Sequence, residues 1–300
     1  MSSHYFRQDF LATPDGAKLF FQVTGDGEPS AVLCDGLGCD GFVWKYLQPV
    51  LEAQRRVLRW HYRGHGFSGV PTDDTRIGME FTCDDLLALL DEAGLKRPVI
   101  FGHSMGVQVA LELHRRAPHR VSGLVLLCGS HGNPLDTWHD HSLLRKAFPY
   151  LKGAVERFPD VARAITRAAL KNDVALELSI RAELNKDLLA SADFFPYMEH
   201  LSRMDPLMFV RTLDSLKDHS VYEHLPRIDV PVLIVGGEID RFTPVWLSQQ
   251  MAQRIPHAEY LQVPGGSHTA PLERPGLVNR AVVEFLRQRV EPAFRVQRSA

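Results

Sequence analysis

The sequence has no long apolar run and almost no net charge, and these two absences narrow the possible functions. No stretch approaches the roughly 18 apolar residues that a membrane helix needs, and Met1–Arg7 lacks the apolar segment of a signal peptide. We therefore expect a cytoplasmic protein with no membrane partner. The formal net charge of −2 at pH 7 gives no basis for binding nucleic acid, because that binding needs an excess of basic residues.

Cysteine is scarce, and its spacing does not match the common structural metal sites. The four cysteines, Cys34, Cys39, Cys83 and Cys128, form no C-x-x-C pair and have no suitably spaced histidine pair beside them. We expect no bound metal. In a cytoplasmic setting these side chains are predicted to be reduced thiols that pack as small apolar groups.

The composition is typical of a globular protein, with 45% hydrophobic and 23% charged residues. Strand-like and helix-like segments alternate through most of the chain, which predicts an α/β fold with a mostly parallel sheet and helices on both faces. A turn at 13–16 joins the first two strands as a hairpin. The predicted strands are 4–10, 18–24, 31–34, 56–61, 99–101, 123–127, 230–235 and 259–263. The predicted helices of this alternating part are 42–53, 82–93, 105–118, 244–255 and 275–290.

The alternation stops in the middle of the chain, where only helical patterns rich in Leu, Ala, Phe and Met occur. We interpret 131–227 as a helical cap inserted between two core parts, 1–130 and 228–300. Its predicted helices are 143–151, 161–170, 175–189 and 206–216.

The most informative motif is G-H-S-M-G at 102–106, which follows a predicted strand and opens a predicted helix. In that context the glycines leave room for a sharp turn that exposes Ser104 as a nucleophile. A serine hydroxyl also needs a base to take its proton and an acid to orient that base. The expected partners must therefore come from other loops at the same edge of the sheet.

Two late loops supply such partners. Asp240 follows one strongly apolar strand and His268 follows the next, in the chain order Ser, Asp, His. Asp240 could instead only cap the helix that begins near Pro244. Glu238 is a rival acid, but its position at the end of the strand favours a structural role. His65 and His103 flank functional loops, where we expect them to shape the backbone.

Together these motifs resemble the capped α/β-hydrolase-fold superfamily, and the likeness covers nearly the whole chain. R-G-H-G-F-S at 63–68 is similar to a loop common in that superfamily, and G-G-E-x-D-x-x-x-P at 236–244 is similar to its acid loop. The resemblance implies the α/β-hydrolase fold, with an eight-stranded sheet and an inserted helical cap. It also implies a triad of Ser104, Asp240 and His268 that needs no metal or organic cofactor.

The resemblance further implies an oxyanion hole made by the backbone N–H groups of Met105 and Leu37. Relatives usually have a histidine where this chain has Asp35, and an aspartate where it has His61. We interpret these exchanges as a swapped pair. The hypothesis is that Asp35 and His61 hydrogen-bond to each other and support the oxyanion loop.

The sequence thus predicts a serine hydrolase that cleaves a carboxylic ester with an apolar acyl or aromatic group through an acyl-enzyme. Its expected partners are a small-molecule ester and water, in a monomer or homo-oligomer. A lactone hydrolase, a hydrolase of carbon–carbon bonds in ring-cleavage products and a ligand receptor on the same fold stay open. The loop D-G-L-G at 35–38 also resembles that of fungal zearalenone-lactone hydrolases, but their acid position corresponds here to 128–130, which has no carboxylate.

Apolar side chains of the cap suggest an acyl pocket, although packing within the cap is the simpler explanation for each of them singly. Phe42 and Trp44, just after the oxyanion loop, are better candidates for the pocket mouth. The cap candidates are Phe148, Phe194, Phe195, Met198, Met204 and Phe209.

Overall fold

The computed structural model describes residues 6–137, 143–170 and 184–299. Its centre is a single sheet built from eight strands. The strands are β1 Phe6–Ala12, β2 Lys18–Thr24, β3 Ala31–Cys34, β4 Val57–Trp60, β5 Val99–His103, β6 Gly123–Leu127, β7 Val232–Gly237 and β8 Glu259–Val263. Their order across the sheet is β1-β2-β4-β3-β5-β6-β7-β8.

The strand directions confirm the predicted mostly parallel sheet. β1 and β2 form the predicted antiparallel hairpin, and β2 is also antiparallel to β4. All other neighbours are parallel. Four interior strands, β3, β5, β6 and β7, are buried along their whole length, which explains their near-continuous apolar sequences.

Helices cover both faces of the sheet, as predicted. The core helices are α1 Gln48–Glu52, α2 Met79–Glu92, α3 Met105–Arg116, α9 Val245–Arg254, α10 Ala270–Glu273, α11 Pro275–Phe285 and α12 Glu291–Ser299. One buried cluster joins a sheet face to α2, α3 and α9 through Leu86, Val109 and Met251. A second joins the opposite face to α1 and α11 through Leu51 and Val282.

The cap helices lie between β6 and β7, where the sequence predicts the insertion. They are α4 Pro134–Thr137, α5 Leu143–Arg157, α6 Pro159–Leu170, α7 Ser191–Arg203 and α8 Pro206–Leu216. The division into two core parts and a cap stays a prediction, and "cap" below means the described residues of 131–227.

Two cap segments differ from the predicted pattern. The sequence reading missed α7, which contains Pro196, a residue that normally interrupts a helical pattern. Most of the predicted helix 175–189 lies outside the described residues, and its end, 184–189, forms a turn.

Two core helices also differ from prediction. The predicted helix 42–53 is a 3₁₀ turn at Phe42–Trp44 followed by α1, which begins next to Pro49. The predicted helix 275–290 ends its α-helical part at Phe285 and continues through a π-helical turn at Leu286–Val290 into α12. No helix in the described ranges is both long and apolar enough to cross a membrane.

Candidate active site

Ser104 lies at the apex of a strained turn between β5 and α3. Its backbone has φ 55° and ψ −118°, an unusual conformation for a residue other than glycine. A Cβ atom on Gly102 would lie 2.3 Å from the carbonyl oxygen of Gly106, and one on Gly106 would lie 2.0 Å from that of Cys34. Both glycines are therefore required by the close approach of strand, helix and neighbouring loop.

The structure brings the three predicted triad side chains together. Oγ of Ser104 lies 2.9 Å from Nε2 of His268, and Nδ1 of His268 lies 2.9 Å from Oδ2 of Asp240. A carboxylate only accepts hydrogen bonds, so Nδ1 of His268 carries the proton in this contact. Nε2 then presents a lone pair to the serine hydroxyl, which is the arrangement that a general base needs.

Asp240 is held in place by its own loop. Oδ1 accepts the backbone N–H groups of Phe242 and Thr243, both at 2.9 Å, and Oδ2 accepts the Thr243 hydroxyl at 2.8 Å. Asp240 therefore bonds to the loop before α9 and to His268 at the same time, so the capping alternative and the triad prediction are not exclusive. The rival Glu238 points elsewhere and accepts the N–H of Gly265 at 2.7 Å.

The two flanking histidines contact the backbone, as expected. His103 bonds through Nε2 to the carbonyl oxygen of His268 at 2.9 Å, and burial lowers the pKa of His103 to about 3. His103 is therefore neutral and positions the main chain of the base. His65 bonds through Nδ1 to the carbonyl oxygen of Arg63 at 2.9 Å, while the Arg63 guanidinium donates to Asp85 at 2.6 and 2.7 Å.

The loop predicted to complete the oxyanion hole lies against the nucleophile. A Cβ atom on Gly36 would be 3.1 Å from Cβ of Ser104, so a side chain there would crowd the nucleophile unless its neighbours moved by a few tenths of an ångström. Leu37 and Met105 line the same cavity as Ser104 and His268. Their role as backbone donors to an oxyanion stays a prediction.

The hypothesis of an Asp35–His61 pair is wrong. Oδ1 of Asp35 accepts the indole N–H of Trp44, and the Tyr62 hydroxyl donates to the Asp35 carbonyl oxygen at 2.8 Å. His61 instead accepts the N–H of Phe67 through Nδ1 at 3.0 Å. The indole comes from the 3₁₀ turn just after the oxyanion loop and bonds to one oxygen of the carboxyl group, while both ring nitrogens of His61 contact backbone groups instead.

Asp35 is also an unusual group electrostatically. Its residue is only 1% exposed, and burial raises its pKa to about 7 although the Trp44 hydrogen bond opposes this. Oδ2 has no hydrogen-bond partner among the described residues. A buried carboxyl group with one bonded oxygen therefore lies under the oxyanion loop, and burial favours its protonated form.

A cavity of about 380 Å³ opens beside Ser104 and His268, between the sheet edge and the cap. Aromatic and aliphatic side chains dominate its lining, with Phe42 and Phe242 from the core and Leu135, Phe194, Met198 and Phe209 from the cap. An apolar enclosure of this volume suits a small organic molecule. Because much of the apolar lining comes from the cap, the apolar part of such a molecule would lie on the cap side of Ser104.

The remaining pocket candidates lie elsewhere. Phe148 packs with Val155 and Val210 inside the cap, and Met204 packs against Ile77 and Met208. Phe195 is 52% exposed on the surface. Trp44 is fully buried beneath the oxyanion loop and does not line the cavity.

Two residues near the site were missed by the sequence reading. Thr243 supplies two hydrogen bonds to Asp240, and a threonine three residues after the acid is the signal that could have revealed it. Gln108 lines the cavity one helical turn after Ser104. Its i+4 spacing from the nucleophile places it on the same face of α3.

All four cysteines are buried and free. Cys39 lines the cavity, but burial raises the pKa of its thiol well above the ordinary value, so it is not a reactive thiolate. Among the described residues, no three His, Cys, Asp or Glu side chains form a group able to hold a metal ion.

Comparison with known proteins agrees with this architecture. Residues 31–275 match the family model described as alpha/beta hydrolase fold. A non-heme chloroperoxidase of Kitasatospora aureofaciens is 29% identical over 294 residues, covering 91% of this chain and 98% of its own length. A protein provisionally named carbamate hydrolase RutD, from Caulobacter sp., is 26% identical over 287 residues, covering 91% and 97%.

Among solved structures, a thermophilic esterase from Thermogutta terrifontis superposes with a TM-score of 0.77 at 23% identity. The superposition covers 96% of this chain and 99% of the esterase. At this level of identity the likeness shows the fold.

Proposed function

The chain belongs to the alpha/beta hydrolase fold family and is a hydrolase of that fold, and from this premise we propose that it cleaves a carboxylic ester through an acyl-enzyme on Ser104. One observation carries the proposal: the continuous hydrogen-bonded relay from Ser104 through His268 to Asp240 at the mouth of an apolar cavity. Its substrates are then small molecules, with water as the second reactant.

In the first half-reaction, Oγ of Ser104 attacks the acyl carbon while Nε2 of His268 takes the hydroxyl proton. Asp240, which accepts from Nδ1, keeps the imidazole in the required tautomer and stabilises the imidazolium. The backbone N–H groups of Leu37 and Met105 donate to the oxyanion of the tetrahedral intermediate. His268 then returns the proton to the leaving alkoxide, and the carbon–oxygen bond breaks to leave the acyl group on Ser104.

The second half-reaction repeats these steps with water in place of the serine hydroxyl. His268 takes a proton from the water as it attacks the acyl carbon, then protonates Oγ of Ser104 as the free acid leaves. The apolar lining favours an acyl group that is aliphatic or aromatic. Because one imidazole serves both halves, its replacement affects acylation and deacylation alike.

The test is hydrolysis of 4-nitrophenyl esters of short and medium acyl chains. The wild type is expected to release nitrophenol, Ser104→Ala to lose the activity, and the exposed Ser191→Ala to keep it. A carbamate ester, a lactone and a dienoic ketone belong in the same panel, since each would use the same nucleophile on a different carbonyl. No turnover of any of them would favour the ligand-receptor alternative instead.

A further inference from the structure

Gln108 is a buried amide in a position where an apolar residue would pack more simply. It is 2% exposed, lies on α3 and lines the cavity beside Ser104. Four residues along an α-helix advance the chain by about 6 Å, so the amide faces the interior about one turn from the nucleophile. A polar group at this depth must find hydrogen-bond partners or destabilise the fold.

The neighbours of Gln108 determine which of its amide atoms bonds to His219. Nε2 of Gln108 lies 3.2 Å from Nδ1 of His219, whose Nε2 lies 3.5 Å from the Glu112 carboxylate. Burial tends to raise the pKa of Glu112, but hydrogen bonds from Arg115 and His219 lower it to about 2. Glu112 is therefore an ionised carboxylate that only accepts hydrogen bonds. His219 therefore donates from Nε2 to Glu112, and its Nδ1 accepts an N–H from the Gln108 amide. The Gln108 carbonyl oxygen receives no hydrogen bond from His219.

Most other polar groups in the described lining already donate within the protein. The Ser130 hydroxyl donates to the Gly132 carbonyl oxygen, and that of Thr269 donates to Glu273. Thr243 donates to Asp240 as part of the relay. Tyr197, stacked on Phe42, is the lining residue whose hydroxyl competes with Gln108 for a polar ligand group.

We propose that Gln108 selects substrates whose acyl group is mainly apolar but carries one hydrogen-bond donor, a hydroxyl or an amide N–H, about one helical turn from the reacting carbonyl. The inference rests on the proposed ester hydrolysis and adds the substrate class to it. The donor of the substrate meets the Gln108 carbonyl oxygen, while His219, Glu112 and Arg115 hold the amide in that orientation. An acyl chain without a donor offers no hydrogen bond to that oxygen while its apolar part displaces water from the cavity.

The experiment compares 4-nitrophenyl 6-hydroxyhexanoate with 4-nitrophenyl heptanoate, a pair in which a methyl group replaces the hydroxyl. We measure kcat/KM for both esters in the wild type, Gln108→Met and Tyr197→Phe. The ratio of hydroxy to alkyl ester is expected to fall about tenfold in Gln108→Met and to stay within about twofold in Tyr197→Phe. His219→Leu, which removes the partner that orients the amide, is expected to lower the ratio by a smaller factor.

The outcomes separate this inference from the ester proposal. An unchanged ratio in Gln108→Met, or a loss of preference in Tyr197→Phe alone, overturns the role of Gln108 while leaving ester hydrolysis intact. Failure of the wild type to cleave either ester counts against the proposed function itself. Circular dichroism and the melting temperature of each variant show whether a lower rate comes from misfolding.

Discussion

The core edge that carries Ser104 and His268 and the cap wall that carries Phe194 and Met198 lie on two sides of one cavity and are held by different kinds of interaction. Asp240 receives three hydrogen bonds from its own loop at 2.8–2.9 Å and is 5% exposed. Across the cavity, Phe194 and Met198 are held by contacts with Leu184 and other apolar side chains. Hydrogen bonds therefore hold the side chains of the candidate triad, whereas apolar packing holds the side chains of the cap wall.

The outer side of the cap extends this contrast. Tyr150 on α5 is 82% exposed and Ile165 on α6 is 63% exposed, although both belong to amphipathic helices. Apolar side chains in such a region can be exchanged for others of similar volume with little effect on hydrogen-bond geometry. We therefore expect substitutions in the core loops to change rate or stability, and substitutions in the cap wall to change substrate preference.

The largest expected effect is on the relay. Asp240→Asn removes the charge that fixes the His268 tautomer, and kcat for a nitrophenyl ester is expected to fall about 10⁴-fold. Its matched control is Glu238→Gln, which lies two residues away and accepts the N–H of Gly265, and it should change kcat by less than about threefold. Equal losses in the two variants would show that the acid had been assigned to the wrong residue.

The next effect is a dependence of stability on pH caused by Asp35. Burial raises its pKa from an ordinary 3.8 to about 7, so the folded state holds one more proton than the unfolded state between these values. The contribution of Asp35 to the free energy of unfolding is therefore fully present below about pH 4. It falls by about 4 kcal/mol in total as the pH rises to 7.

Asp35→Asn should remove that loss, because the amide does not titrate. Urea unfolding of both proteins between pH 4 and 8 measures the difference between their free energies of unfolding. The contributions of neighbouring charges such as Arg59 and Asp40 are present in both proteins and largely cancel in that difference. Parallel pH profiles for wild type and variant would mean that the carboxyl group ionises as it does in water.

A smaller effect is expected from Trp44→Phe, which leaves the Asp35 carboxyl group without its indole donor. We expect a loss of about 1–3 kcal/mol in the free energy of unfolding, together with a slower ester reaction, because the carboxyl group lies under the oxyanion loop. Trp246→Phe is the comparison, since that side chain is 41% exposed on α9. If the Trp44→Phe protein is as stable and as active as Trp246→Phe, the hydrogen bond from Trp44 to Asp35 contributes nothing to stability or rate.

The smallest expected effect belongs to the cap wall and concerns selectivity. Met198→Ala enlarges the cavity, so the ratio of kcat/KM for a decanoate ester to that for a butyrate ester should rise about tenfold. Met204→Ala is the matched control, because Met204 is 7% exposed and Met198 4%, yet Met204 does not line the cavity. A similar rise in both variants would point to general loosening of the cap.

The parts that the sequence revealed are those in which backbone geometry restricts residue type. Gly102 and Gly106 are needed because strand, helix and loop approach each other there, and that requirement marks Ser104 as the turn residue. The sheet was predictable because its central strands are buried on both faces and so read as apolar runs. Asp240 and His268 could be located because each follows such a strand.

The parts that the sequence concealed depend on contacts between side chains far apart in the chain. The Asp35–His61 hypothesis considered two exchanged residues and overlooked Trp44, whose indole reaches the carboxyl group from a different turn. Gln108 carries no motif, since its orientation comes from His219, which lies 111 positions further along the chain. Helix α7 was missed because Pro196 interrupts its pattern.

The proposed function requires one covalent event at the turn between β5 and α3, the acylation of Ser104. Incubation with a fluorophosphonate, which reacts with activated serine hydroxyls, followed by peptide mass mapping, tests it directly. We expect a single adduct on Ser104 in the wild type and none in His268→Asn, because the hydroxyl then has no base. Labelling of another serine, or equal labelling of Ser104 without the imidazole, would contradict the account.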